Sequence, residues 1–366
     1  MSKDDASENE NSSTPDEVEF SMRVSSGGAH TCAVLNDGTV KCWGLNTSGQ
    51  LGNGTNDNST IPVTVLGISN ATNVSAGGSH TCAVLSDGSG KCWGENGNGQ
   101  LGDGTEISSS VPVSINGLAD VKSISLGYSY TCAVLKTGSI KCWGSNQYLS
   151  DQIVLDNVKN ISISEASDVW PLESSACAVL NDGTVKCWGA NGYWQLGDST
   201  AGFYSIETPV TVTGINNASD ISVGMEHTCA LLNNGTAKCW GNNDFGQVGN
   251  GETDLLSPPV TVAGLNGLRS IIAGRWSTCA ILTDRTVKCW GNNYSGWLGV
   301  DITESEASAI ITPTSVKGLA NVFQLSNNAC ALMNDETIRC WGDNRWGQLG
   351  DGTTEDRMTP VEVIGL

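Results

Sequence analysis

Seven times along this chain two cysteines stand with nine residues between them and a turn signal midway. The first copy reads Thr31-Cys32-Ala33-Val34-Leu35-Asn36-Asp37-Gly38-Thr39-Val40-Lys41-Cys42-Trp43-Gly44. The pairs are Cys32 with Cys42, Cys82 with Cys92, Cys132 with Cys142, Cys177 with Cys187, Cys229 with Cys239, Cys279 with Cys289, and Cys330 with Cys340. They account for every cysteine. Folded about Asp37, the stretch is a hairpin in which Cys32 faces Cys42, Val34 faces Val40 and Leu35 faces Thr39. The three-residue loop that remains wants positive φ in last place, which Gly38 supplies without steric cost. Gly88, Gly138, Gly183 and Gly235 fill that place elsewhere, but Arg285 and Glu336 do not. Those two turns are expected to be strained or differently built.

Directly opposed strand residues have Cα atoms about 4.5–5.5 Å apart, and a disulfide needs about 4.4–6.8 Å. The spacing therefore favours a disulfide inside each hairpin, each stabilising by about 2–3 kcal/mol on a chain-entropy argument. Structural zinc is one alternative, though it prefers gaps of about two to four residues. Reduced thiols are the other. Paired cysteines in this number point to an oxidising compartment, extracellular, periplasmic or at the cell surface.

First cysteines recur at spacings of 50, 50, 45, 52, 50 and 51 residues. Each unit holds four strand-like pieces. In the second they are 74–77, 80–85, 90–94 and 112–115, with the loop Gly99-Gln100-Leu101-Gly102-Asp103-Gly104-Thr105 before the last. Periods near 50 with four short strands predict an all-β, seven-bladed β-propeller spanning 22–366 as a single domain. A solenoid is the alternative, but its capping repeats are not apparent. The chain opens on a first piece (23–27) and ends on a last one (360–364), so the two terminal strands are candidates to share one blade and close its edge. Residues 1–21 read as a disordered acidic leader or spacer. They lack the apolar core of a secretion signal, as a trimmed mature chain would. The third unit is degenerate: it lacks the glycine loop, and Ile153-Val154-Leu155 stands where an outer strand is due.

The formal charge is −20, from 18 Lys and Arg against 38 acids. Phosphate contacts need the opposite balance, so nucleic acid is excluded as the expected partner. No apolar run approaches the length of a membrane span. Lys41, Lys91, Lys141, Lys186, Lys238, Lys288 and Arg339 share one repeat position and are expected to pair or snorkel between blades. His30, His80 and His227 share another, filled by Tyr130, Ser175, Ser277 and Asn328 in the remaining units. A shared slot suggests a hydrogen bond at a strand start rather than catalysis or metal binding. Asp103-Gly104-Thr105 and Asp351-Gly352-Thr353 lack the alternating carboxylates of a calcium loop, so turns are expected. No hydrolytic or phosphate-binding motif stands in a credible context. No cofactor or metal is expected, and the molecule is read as a monomer.

Trp43, Trp93, Trp143, Trp188, Trp240, Trp290 and Trp341 repeat with the unit and should be core between blades. Trp194, Trp297 and Trp346 lie in the glycine loop and are expected to cover outer edges. Function is sought in the variable pair before each first cysteine, from Gly28-Ala29 to Ser326-Asn327. Loops at one end of seven blades would present these as a ring. The candidate rim is Tyr128, Glu173, Met225, Glu226, Arg275, Trp276 and Asn327, which includes the residue types enriched at interface hot spots.

Four pieces carry a family resemblance: Gly-x-x-His-Thr-Cys-Ala (77–83), Asp-Gly-Thr-Val-x-x-Trp-Gly (37–44), Gly-Gln-Leu-Gly (49–52) and Pro-Val-x-Val (62–65). They resemble the repeats of the regulator of chromosome condensation family over about residues 22–366. The resemblance implies a seven-bladed propeller. Family members include nucleotide exchange factors on chromatin, ultraviolet-B sensors and a β-lactamase inhibitor. Cysteine-paired repeats look like its secreted or surface-anchored bacterial versions. The expectation is a non-enzymatic module that binds a protein partner through loops at one face. A secreted carbohydrate-binding or hydrolytic propeller is one alternative, favoured if two carboxylates such as Glu173 and Glu226 meet in the funnel. A guanine-nucleotide exchange factor-like regulator of a small GTPase is the other, favoured by free thiols.

Overall fold

A computed structural model describes residues 22–144, 153–164, 174–198, 204–254, 256–296, 298–300, 302, 308–327 and 330–366. The expected leader, Glu173, Trp297 and Asn328 lie outside them. The first blade is β1 (Arg23–Ser26), β2 (His30–Val34), β3 (Val40–Gly44) and β4 (Ser59–Thr64), paired antiparallel in chain order. Seven such sheets follow one another, so each sequence unit is a blade. The third has three strands among the described residues.

The cysteine hairpin is built as its symmetry requires. Cys32 opposes Cys42, Val34 opposes Val40, and the Leu35 N–H donates to Thr39 O at 2.8 Å. Hydrogen-bonded and non-hydrogen-bonded pairs alternate along an antiparallel ladder, so the cysteines fall at the closer, non-hydrogen-bonded kind. A disulfide joins Cys32 to Cys42, Cys82 to Cys92, Cys132 to Cys142 and Cys177 to Cys187. Likewise Cys229 is joined to Cys239, Cys279 to Cys289 and Cys330 to Cys340. Their Cα atoms stand 4.0–4.1 Å apart, closer than the 4.5 Å lower bound expected of opposed strand residues. Neither alternative for the cysteines holds: none is free, and none belongs to a cluster arranged for a metal among the described residues. Gly38 closes its turn at φ 79°. Arg285 (64°) and Glu336 (69°) hold the same left-handed conformation. These turns are thus not rebuilt, and a side chain sits where its Cβ crowds the following carbonyl.

The connections define two faces. Residues 27–29 and the long loop after β3 meet at one end, where the Leu45 N–H donates to Ala29 O. The cysteine hairpins and the links to the next blade meet at the other, where the Ala71 N–H donates to Gly38 O. We term these the loop face and the hairpin face.

The core is seven apolar clusters, one in each gap between neighbouring blades. Six of the Trp-Gly tryptophans are fully buried there, and Trp143, in the unit without a glycine loop, is half-buried. Gly52 must be glycine: at φ 67° an added Cβ would lie 2.8–3.0 Å from the Trp93 indole and Val65.

Two expectations need correction. The terminal strands do not share a blade: β1 opens the first sheet and Arg357–Glu362 ends the seventh. Side chains close the ring instead. The Gln324 amide accepts from the Val24 N–H (3.3 Å) and donates to Val24 O (3.1 Å), and Ser26 Oγ meets Ser326 Oγ at 2.7 Å. A cluster of Met22, Val24 and Trp43 with Leu332, Leu349 and Val363 fills the seam. In the third unit, 153–155 forms no strand. Ile153 is buried in the gap to blade four and Leu155 packs against it, while Val154 is 84% exposed. The segment supplies the burial of an outer strand without its ladder.

Candidate interaction face

Most repeated polar residues are consumed by joining one blade to the next. Thr81 Oγ1 donates to Gln50 O of the preceding blade (3.0 Å), and so does the Trp93 indole N–H (2.9 Å). With its proton committed, Thr81 Oγ1 can only accept from His30 Nε2, 2.8 Å away, which fixes the Nε2–H tautomer. His80 with Thr131 and His227 with Thr278 repeat this latch at 2.9 and 2.8 Å. The expected strand-start hydrogen bond therefore exists and crosses between blades. All three Nδ1 atoms are buried without a partner. Burial lowers His30 to about 4, and His80 and His227 to about 3.

The long loop is self-contained. Gln50 Oε1 accepts from the Ser48 N–H (2.9 Å). Asn96 Oδ1 accepts from the Leu101 N–H, and its amide nitrogen donates to Asp103 Oδ1, Thr105 O and Ile107 O at 3.0–3.1 Å. Oxygens that a cation would gather converge on an amide, so these loops are turns. Among the described residues no cluster of His, Cys, Asp and Glu is arranged to hold a metal. Several basic residues before the second cysteines bridge blades: Lys41 Nζ donates to Gly365 O (2.7 Å) and Arg339 to Gly318 O (3.0 Å), whereas Lys186 bonds Thr211 within its own blade (3.1 Å).

The variable residues converge instead. A cavity of about 270 Å³ opens at the mouth of the ring on the loop face. Tyr128, Met225, Arg275 and Asn327 line it, beside Gly28, Gly78 and Ser79. Trp276 and Glu226 stand next to it. The Arg275 guanidinium lies 4.7 Å from the Trp276 ring, which tilts against Phe245 at 6.4 Å. Burial pushes Glu226 above the usual carboxylate range, against its hydrogen bonds from Asn242 (2.8 Å) and the Trp276 indole.

The wall also includes Asp343 and Trp346, which the sequence reading did not place there. Trp346 was expected at an outer edge, but it is 44% exposed at the mouth. Burial works to raise Asp343, yet its contacts with Arg345 hold it below the usual range. A signal for these residues existed. The positions after the loop asparagine are Thr47-Ser48 and Gly97-Asn98 in blades one and two. They become Tyr193, Phe245, Tyr294 and Trp346 in blades four to seven. Trp194 stands at φ 60°, where the equivalent loops place Gly49, Gly99, Gly246, Gly296 and Gly347. Blade seven also departs from the count back from its cysteine. Ser326 pairs directly with Cys330, four residues on, whereas in blade one it is Ser25 that pairs with Cys32, seven residues on.

The RCC1-like domain model matches residues 2–327, and the RCC1 repeat matches 338–366. The chain belongs to the RCC1-like domain family. Among solved structures it is similar to Prp20p of Saccharomyces cerevisiae, at 20% identity and a TM-score of 0.74 over 94% of this chain and 88% of that one. That protein has binding properties toward Gsp1p and histones. The same yeast protein bound to Kap60 matches with a TM-score of 0.68 and 19% identity, over 81% and 74% of the two chains. The ectodomain of the Arabidopsis thaliana receptor kinase ACR4 matches with a TM-score of 0.54 and 20% identity, over 94% and 98%. At these identities the likeness establishes the propeller fold alone. No helix among the described residues is long and apolar enough to cross a membrane.

Proposed function

We propose that this RCC1-like propeller is a non-enzymatic interaction module that binds a protein partner through its loop face. One observation carries the reading: the side chains that vary between units meet at one mouth, whereas most of those that repeat are spent on holding blades together. Tyr128, Met225, Arg275, Trp276 and Trp346 give that mouth the aromatic and arginine character of interface hot spots. A ring whose seven blades are each disulfide-linked presents these loops with little ordering cost, which favours affinity. Relatives that bind Gsp1p, histones or Kap60 fit such a role. Seven disulfides suit an oxidising environment, and we place the module outside the cytosol, secreted or surface-anchored as in bacterial members. No cysteine is free, so the thiols that would favour the exchange-factor alternative are absent.

The test is affinity capture from extracellular and envelope fractions with three baits. They are wild type, Tyr128→Ala/Met225→Ala/Arg275→Ala/Trp276→Ala, and a hairpin-face control, Asp156→Ala/Glu362→Ala. A protein retained by wild type and the control but lost by the rim variant is the expected result. Retention by all three would overturn the choice of face.

A further inference from the structure

The two faces differ in charge far more than composition requires. Every lysine among the described residues lies toward the hairpin face: in the cysteine hairpins, in the third strands beside them, in the links between blades, or at the start of an inner strand. The loop face is the reverse. Glu95, Asp244, Glu252 and Asp254 are among its carboxylates, and its only described cations are Arg275, Arg345 and Arg357. Two of these are already neutralised. Arg345 pairs with Asp343 at 2.8 Å, and Arg357 pairs with Asp351 at 2.8 Å and Glu355 at 3.5 Å. Arg275 lies over Trp276 within the same field. The overall charge of −20 is thus displayed asymmetrically, with one strongly acidic face and one where both signs mix.

The acidic field surrounds a shaped receptor. The mouth cavity of about 270 Å³ is walled by Tyr128, Met225 and Trp346. Aromatic faces, an apolar wall and a surrounding field of carboxylates suit one chemistry. A long aliphatic stem with a cationic, hydrogen-donating head can use all three.

We propose that the loop face receives a lysine- and arginine-rich protein segment, with basic side chains distributed over the loop carboxylates and one anchored at the aromatic mouth. This rests on the interaction-module reading and names the chemistry of its partner. Like charges on the two surfaces would be penalised, so the same field rejects acidic proteins.

Fluorescein-labelled decalysine, with deca-glutamate as its counterpart, is the probe, read by anisotropy at low and high salt. Three proteins are compared: wild type, the loop-face variant Glu95→Lys/Asp254→Lys, and the hairpin-face variant Asp156→Lys/Glu362→Lys, which changes net charge equally. Wild type should bind decalysine, with affinity falling about tenfold or more as salt screens the field, and should not bind deca-glutamate. The loop-face variant should lose roughly fivefold or more in affinity, and the hairpin-face variant less than about twofold. Equal loss in both variants, or no binding of decalysine at low salt, overturns the proposal. If decalysine fails while the Tyr128/Met225/Arg275/Trp276 variant still loses a captured protein, the cationic class is wrong and the interaction face stands. If both fail, the interaction face falls as well.

Discussion

Acidification should weaken this ring through three histidines. His30, His80 and His227 are buried, are held as neutral Nε2–H donors by threonines of the next blade, and have no partner for Nδ1. A second proton would charge an imidazole in the gap between blades. Burial accordingly lowers them from 6.5 to about 4, about 3 and about 3. For a depressed pKa, the unfolded chain takes up the proton first as pH falls. The stabilisation is complete above pH 6.5 and is lost on acidification toward the folded-state values. Each histidine then costs about 1.4 kcal/mol per pH unit below 6.5, which is roughly 2 kcal/mol each and about 6 kcal/mol in all between pH 7 and pH 5. Two groups oppose this. Burial raises Asp220 and Glu226, so their unfavourable contribution at neutral pH is relieved as pH falls. Relief of self-repulsion at −20 acts in the same direction. The measurement is a set of denaturant titrations at pH 7, 6 and 5 on wild type and on His30→Gln/His80→Gln/His227→Gln. Wild type should lose stability steeply on acidification, while the variant, less stable at pH 7, stays level or gains. Parallel pH profiles would refute the argument, because the two proteins share every other titrating group.

Other outcomes follow from single contacts. Thr81→Val removes the hydroxyl shared by His30 and Gln50 O and should cost about 1–3 kcal/mol in chemical denaturation, since the buried His30 Nε2–H loses its partner while Gln50 O keeps only the Trp93 indole. Glu336→Gly should stabilise by about 0.5–1 kcal/mol, because glycine removes the left-handed strain at φ 69° at a smaller entropic cost. Replacing Cys82 and Cys92 together by alanine should lower stability by about 3 kcal/mol, the loop-closure value for a short hairpin. Unchanged denaturation midpoints in any of the three would count against the corresponding contact.

The fold was legible because a repeat repeats its chemistry. Cysteine symmetry about Asp37 dictated the strand register, and a glycine or its absence marked the turn conformation. The mouth was half legible. The pair before each first cysteine announced Tyr128, Met225 and Arg275, but alignment on the cysteine hid that in blade seven Ser326 itself pairs with Cys330. Trp346 was misplaced because a residue in a long loop has no period to say which way it points. Its neighbour Gly347 abuts Thr60 of the next blade, whereas Trp346 itself turns to the mouth. Ring closure was not legible either, since Gln324 and Val24 stand 300 residues apart and a single glutamine amide carries no motif.

The seam between blades three and four tests whether the latch is a unit. Wherever a loop glutamine is followed one blade later by threonine and Trp-Gly, its carbonyl accepts from both: Gln50 from Thr81 and Trp93, Gln100 from Thr131 and Trp143, Gln195 from Thr228 and Trp240, Gln247 from Thr278 and Trp290, and Gln348 from Thr31 and Trp43 across the closing seam. Unit three lacks the glycine loop that carries this glutamine. In blade four, accordingly, the threonine place holds Ala176 and the histidine place of blade three holds Tyr130, both fully buried. Only the tryptophan keeps its polar atom, and Trp188 Nε1 is buried without a partner. Losing the carbonyl thus makes the threonine and histidine dispensable together, while the indole is retained for the volume it fills. This predicts an inversion. Trp93→Phe breaks a 2.9 Å hydrogen bond and leaves Gln50 O with Thr81 as its remaining donor, whereas Trp188→Phe removes a donor that has nothing to lose. For the same change in volume, Trp93→Phe should cost about 0.5–1.5 kcal/mol more. Equal costs would mean that the indole hydrogen bond does not hold the blades together.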